Sequence, residues 1–140
     1  MKRIYLIGFL LLCSCGLNDS FSKTCIYEVK NPYFSEKTTM KITYSGNDLI
    51  ESAVIIKNYK SVNSDDIVSD IKSSISEYNN KYGGSGIKYS VNKNLDDEYE
   101  IEYFIPVKSV DENVLNDFKL QKNSVKLFKS LKKENIECEG

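Results

Sequence analysis

Apolar residues fall along this chain in two regimes. From Ile4 to Leu12 they are nearly continuous. From Cys25 onward they alternate at a period of two or recur at helical spacing, which is the pattern of a folded domain. Cys25-Ile26-Tyr27-Glu28-Val29 is rich in strand formers, and Asn31-Pro32 interrupts it. Thr38, Met40, Ile42 and Tyr44 then alternate with Thr39, Lys41 and Thr43. Ser45-Gly46-Asn47-Asp48 is a turn signal, and a second strand runs from Leu49 to about Lys57, so the two runs read as an antiparallel hairpin. Leu49, Ala53 and Ile55 face one way and Ile50, Val54 and Ile56 the other, which predicts a central strand covered on both sides.

Asn63-Ser64-Asp65-Asp66 offers capping side chains and first-turn acids. Ile67, Val68, Ile71, Ile75, Tyr78 and Tyr82 follow at helical spacing, predicting one amphipathic helix from Ser64 to about Tyr82, ended by Gly83-Gly84-Ser85-Gly86. A second hairpin comes next. Ile87, Tyr89 and Val91 form one apolar row, Asn94 to Asp97 turns the chain, and Tyr99, Ile101, Tyr103 and Ile105 form the second row. Pro106 ends this ladder. Ser109 to Phe118 reads as a brief helix and Ser124 to about Asn135 as a clearer one, with Val125, Leu127, Phe128 and Leu131 inward. Ile136-Glu137-Cys138 is extended. The order β-β-β-α-β-β-α, with a possible last strand, predicts an α+β domain: an antiparallel sheet of two hairpins, five to six strands, with one long and one or two shorter helices on one face.

The first regime is an address. Lys2 and Arg3 precede the apolar run. Nine or ten helical residues rise only about 15 Å, half of a ~30 Å hydrocarbon core, so the run reads as a signal-peptide segment rather than a span. Leu12-Cys13-Ser14-Cys15 follows and resembles a bacterial lipobox, with Cys15 as the lipid-bearing residue. Leu12 is too large to precede a cleavage at Cys13; an ordinary secretory signal cut after Cys15 is the alternative. The expected organisation is a signal peptide over 1–14, a lipidated polar tether over 15–23, and one globular domain over 24–140. Processing would leave 126 of the 140 residues and remove Lys2 and Arg3, moving the formal charge from −1 to −3. A diacyl anchor then holds the chain on a membrane, facing outside the cytoplasm.

With Cys13 removed and Cys15 lipidated, Cys25 and Cys138 remain at the two ends of the domain, and outside the cytoplasm a disulfide between them is expected, two separate buried thiols being the alternative. Closing so long a loop stabilises by roughly 4–5 kcal/mol in the loop-entropy model. The chain has no His, so two Cys cannot complete a soft tetrahedral metal site, and chemistry through an imidazole is excluded. No cofactor is expected. With 41% apolar and 28% charged residues the chain is in the globular range, and a net charge of −1 argues against nucleic acid as a partner.

Several short patterns invite chemistry. Gly83-Gly84-Ser85-Gly86 follows a helix and precedes a strand, the reverse of a phosphate-binding loop, so it reads as a helix stop. Asn92, Asn94, Asp96 and Glu98 have calcium-loop spacing, but Asp97 stands where glycine is needed and Tyr103 where a bidentate Glu is needed. Glu98, Glu100 and Glu102 line one strand face about 6.5–7 Å apart, a glycosidase-like separation, yet nothing drives their pKa values apart, and Lys88 or Lys41 would offset their repulsion. Lys126, Lys129, Lys132 and Lys133 form a solvated helix face. Most tyrosines fall on core faces; Tyr33 and Phe34, in the loop after Pro32, and Tyr59 are less easily assigned to the core and form a candidate exposed ligand patch.

Together, Leu12-Cys13-Ser14-Cys15, Cys25, Ile42-Thr43-Tyr44-Ser45-Gly46-Asn47, the long helix to Tyr82, and Val125 to Lys132 leading into Ile136-Glu137-Cys138 resemble the small YehR-like bacterial lipoproteins. The resemblance implies an α+β domain and a lipid-anchored location, and it transfers no active site. The expected function is a non-catalytic, monomeric envelope domain that binds or supports a partner. A small-molecule or peptide-binding lipoprotein using the Tyr33, Phe34 and Tyr59 patch is the alternative, and a hydrolase using Glu98, Glu100 or Glu102 is the third reading.

Overall fold

The computed structural model describes residues 19–62 and 66–140. Leu12, Cys13, Ser14 and Cys15, and the helix-capping Asn63, Ser64 and Asp65, therefore lie outside the described residues. The elements are β1 (Ser20–Lys30), β2 (Phe34–Ser45), β3 (Ile50–Ser61), α1 (Asp66–Lys81), β4 (Lys88–Asn94), β5 (Glu98–Ile105), a 3-10 turn (Val107–Ser109), α2 (Glu112–Asp117), α3 (Ser124–Lys133) and β6 (Cys138–Glu139). They form a mixed α+β domain: one antiparallel six-stranded sheet in the order β4-β5-β3-β2-β1-β6, with three α-helices.

Local chemistry explains the connections. Asn31 Oδ1 accepts from the backbone N–H of Tyr33 at 2.8 Å and of Phe34 at 2.9 Å, so its side chain makes the turn into β2. Asp48 takes the left-handed conformation that closes the β2–β3 turn, where Ser45 N–H donates to the Leu49 carbonyl at 2.9 Å. Asn123 caps α3 by accepting from Lys126 N–H at 3.0 Å, and Asp111 caps α2 by accepting from Asn113 N–H at 2.8 Å.

One sheet face is buried. Along it the register places Cys25 beside Met40, Met40 beside Ile55 and Ile55 beside Tyr103. Met40, Ile42, Ile55, Ile101 and Ile105 pack there against Val68 of α1, Leu115 of α2, and Leu127 and Leu131 of α3. Each such aliphatic side chain, taken fully out of water, contributes about 1.5–3 kcal/mol.

Five sequence expectations change. Strand β1 begins at Ser20, not Cys25, because Phe21 packs on Tyr44 with ring centroids 5.7 Å apart and Gly46 N–H donates to the Asp19 carbonyl at 3.2 Å. Ser20 to Lys23 thus belong to the sheet rather than to a tether. Strand β3 is central but covered on one side only: Val54 and Ile56 are half-buried on the open face. A bulge between Thr43 and Tyr44 pairs Tyr44 with Ile50, which turns Ile50 inward and leaves Leu49 exposed. The apolar row of β4 is exposed, Tyr89 at 54%, because β4 is a sheet edge beyond the helical cover. Val125 points outward at 58% exposure; Ser124, Leu127 and Leu131 form the buried stripe of α3.

The disulfide is present. Cys25 of β1 and Cys138 of β6 are direct cross-strand partners, with Cα atoms 4.1 Å apart, and their S–S bond joins residues separated by 113 positions. It ties the last strand, only two residues long, to the sheet. Reduction, or Cys138→Ser, is expected to lower unfolding stability by about 3–5 kcal/mol. Urea midpoints with and without reductant measure this, and identical midpoints would show that the bridge carries no stability.

Candidate functional site

The helix α1 lies over the buried face of β3 and β5 without sealing it. Ile67, Ile71 and Ile75 recur at four-residue spacing on its inner side, but Val68 and Ile75 are the buried residues of the helix. Beneath and beside it lies an open cleft of about 500 Å³. Lys57, Tyr59 and Tyr103 form its floor, Ile71, Ser74 and Tyr78 its helical wall, and Asp117 and Phe118 at the end of α2 the opposite wall. Asp70 stands at the α1 rim.

The aromatic floor is a connected stack. Tyr82 and Phe118 have centroids 5.2 Å apart, and Phe118 meets Tyr103 edge-on at 5.1 Å. Such pairs each add about 0.5–1.5 kcal/mol beyond area burial. The hydroxyls are placed as well. Tyr103 OH donates to Asn79 Oδ1 at 2.8 Å, tying β5 to α1, and Tyr82 OH donates to Asp117 Oδ2 at 3.4 Å.

Lys57 is on the apolar side of β3 because its cross-strand partners are Ile101 and Thr38. Its Nζ lies 3.3 Å from Glu36 Oε1, and both side chains are only 22% exposed. Thr38 Oγ1 also approaches that carboxylate, at 3.4 Å. Burial, and then the Glu36 charge, push the Tyr59 hydroxyl far above its ordinary pKa. Burial also raises Tyr103. Tyr82 is pushed up to about 12 by burial and then by the Asp117 carboxylate beside it. The cleft therefore presents protonated phenols near neutral pH, rather than a phenolate base. Aromatic and aliphatic walls with a few convergent polar groups are the chemistry of a small-ligand site.

The structure brings only part of the expected ligand patch together. Phe34 and Tyr59 share a face, with ring centroids 6.5 Å apart. Tyr59 is buried and Tyr33, at 62% exposure, is on the preceding turn, so the three do not make one exposed patch. Tyr59 instead contributes to the cleft. Lys57, Asp70 and Asp117 were missed by sequence reasoning, although a lysine between Ile55 and Tyr59 at a core-facing register was a readable signal.

Glu98, Glu100 and Glu102 lie on the open sheet face. Asn58 Nδ2 donates to Glu98 at 2.8 Å and to Glu100 at 2.9 Å; Asn92 Nδ2 donates to Glu100 at 3.3 Å and to Glu102 at 3.1 Å. Lys93 Nζ is 3.0 Å from Glu98, and Lys60 Nζ is 4.0 Å away. The expected Lys88 and Lys41 sit opposite Phe104 and Val54, and Lys93, after a bulge between Val91 and Lys93, stands beside Glu100. The Asn58 hydrogen bond, followed by Lys93, holds the Glu98 carboxyl below the usual range. Gly83 to Gly86 form the turn after α1, with Gly84 and Gly86 at positive φ. Lys126, Lys129, Lys132 and Lys133 are exposed. Among the described residues no group of three His, Cys, Asp or Glu could hold a metal, and no helix is long and apolar enough to cross a membrane.

No protein-family model matches the chain, and no curated protein matches it. A solved structure is similar: the NMR structure of a protein from Streptococcus pneumoniae TIGR4, at 15% sequence identity and a TM-score of 0.56, covering 88% of this chain and 87% of that one. This likeness shows the fold alone.

The buried phenols carry a pH signature. Each has a folded pKa above its unfolded value near 10, so it favours the folded state below that value and loses this contribution as pH rises through the folded pKa. Absorbance at 295 nm is expected to show Tyr59, Tyr82 and Tyr103 ionising only from about pH 12 upward or together with unfolding. A single step near pH 10 for all tyrosines, in a chain still folded by circular dichroism, would contradict the buried floor.

Proposed function

We propose that the protein is a lipid-anchored, non-catalytic domain on the outer side of a bacterial cell membrane, and that it binds a small ligand in the cleft beneath α1. The observation that carries the binding reading is the cleft itself: an accessible aromatic hollow in which Lys57, Asp70 and Asp117 are the charged groups. The ligand surface is thus the inner face of Tyr59 with Tyr103, not the expected patch around Tyr33 and Phe34.

The anchor reading rests on Leu12-Cys13-Ser14-Cys15 and on the likeness to YehR-like lipoproteins. The Cys25–Cys138 bridge supports it, since disulfides persist in oxidising compartments. So does the site of chain entry. Five residue steps separate Cys15 from Ser20, a reach of at most about 18 Å. The pole where β1 begins exposes Phe21, Leu49 and Val125 beside Lys122 and Lys126, a surface suited to headgroups.

A hydrolytic role for Glu98, Glu100 and Glu102 is disfavoured by their surroundings. Amide and ammonium donors engage these carboxylates, and Glu98 is held acidic, the opposite of what a general acid requires.

Intact mass of the protein from its native membrane fraction tests the location. Residues 15–140 plus a diacylglyceryl group are expected, and Cys15→Ala should leave the chain unlipidated. An unmodified 140-residue chain in the soluble fraction would overturn the anchor.

A further inference from the structure

We propose that the cleft beneath α1 selects small organic cations with an apolar body, such as aryl-alkyl ammonium compounds. The inference rests on the binding reading of the cleft and deepens it.

Charge decides the class. Lys57, the cation on the cleft floor, already has Glu36 at 3.3 Å, and the two form a half-enclosed neutral pair. The remaining charged side chains of the lining are the carboxylates of Asp70 and Asp117, which outnumber the one further cation at its edge, Lys81 over the Tyr78 ring. Asp70 stands on α1 and Asp117 stands beside Tyr82 at the end of α2, so a carboxylate marks each wall of the hollow. An anion entering this space would meet two negative walls and a lysine already paired. A cation would meet attraction at either wall.

Aromatic chemistry points the same way. Tyr59, Tyr78, Tyr82 and Tyr103 all line the hollow, and the π face of a tyrosine attracts ammonium groups within about 6 Å of its centroid. The chain already uses rings here in this way. Lys81 Nζ sits 4.6 Å over the Tyr78 ring, and Lys72 Nζ sits 5.7 Å over the ring of Tyr99, the cross-strand neighbour of Tyr59. Both lysines come from α1, so the rings beside this helix meet ammonium groups along its length. The apolar part of the ligand would rest on Ile71 and Phe118.

Three probes of nearly equal size separate the terms: 2-phenylethylammonium, neutral 2-phenylethanol and anionic phenylacetate, each titrated into the whole chain at pH 7. Tyrosine-ring NMR shifts report the site. The ammonium probe is expected to shift Tyr78, Tyr82 and Tyr103 and to bind at least tenfold more tightly than phenylacetate, with phenylethanol between them. Asp70→Asn with Asp117→Asn should weaken the ammonium at least fivefold more than it weakens the alcohol. Equal binding of the three probes at these rings would overturn the charge selection while sparing the binding site. Tighter binding of phenylacetate would overturn it in favour of Lys57. No shift with any probe would overturn both the selection and the cleft as a site.

Discussion

Six antiparallel strands with one apolar face need a cover, and the rest of this domain follows from how that cover is supplied. The face is continuous from Cys25 through Met40 and Ile55 to Tyr103, because the strand register sets these residues side by side. A slip of one residue in any pair would send its apolar row into water, so burial itself pins the register. Leu115, Leu120, Leu127 and Leu131 bring α2, α3 and their connection down on this face. The Cys25–Cys138 bridge then holds the end of the chain against the first strand, where two residues of ladder alone could not.

The cover is uneven, and the uneven part is where a ligand fits. Helix α3 buries Ser124, Leu127 and Leu131 within ten residues, whereas α1 buries Val68 and Ile75 within sixteen. Tyr59 and Tyr103 line the space between α1 and the sheet, and the Tyr103 hydroxyl ties β5 to α1 through Asn79. A lysine on the floor would be costly in a sealed core; in a half-open hollow it is stable with Glu36 beside it. The same features that weaken α1 as a lid leave a space with aromatic and charged walls.

Much of the architecture was legible as period-two and helical patterning. The α+β class, the alternation in β5 and the terminal cysteine pair could be read because each rests on spacing or on residue type. Bulges hid the rest. One at Thr43–Tyr44 exchanged Ile50 for Leu49 in the core, and one after Val91 gave Glu100 a lysine neighbour that spacing did not suggest. The Tyr89 and Val91 row has core-like alternation, but whether a strand is an edge depends on strand order, which periodicity does not encode. The cleft was hidden for the same reason. Tyr59, Tyr103, Asp70 and Asp117 come from four separate elements, and only the tertiary fold joins them.

The central claim is that α1 rides over a hollow while the strand ladder beneath it is held on both sides by its neighbours. Native-state hydrogen exchange of backbone amides tests it most directly, because local opening reports how much packing holds each element. The account predicts that amides from Ile71 to Lys81 exchange at least tenfold faster, relative to their unfolded rates, than those of Ile55, Ile101 and Tyr103, through openings that leave the sheet intact. Protection of α1 equal to that of the central strands would contradict it, since a helix so protected would be sealed against the sheet.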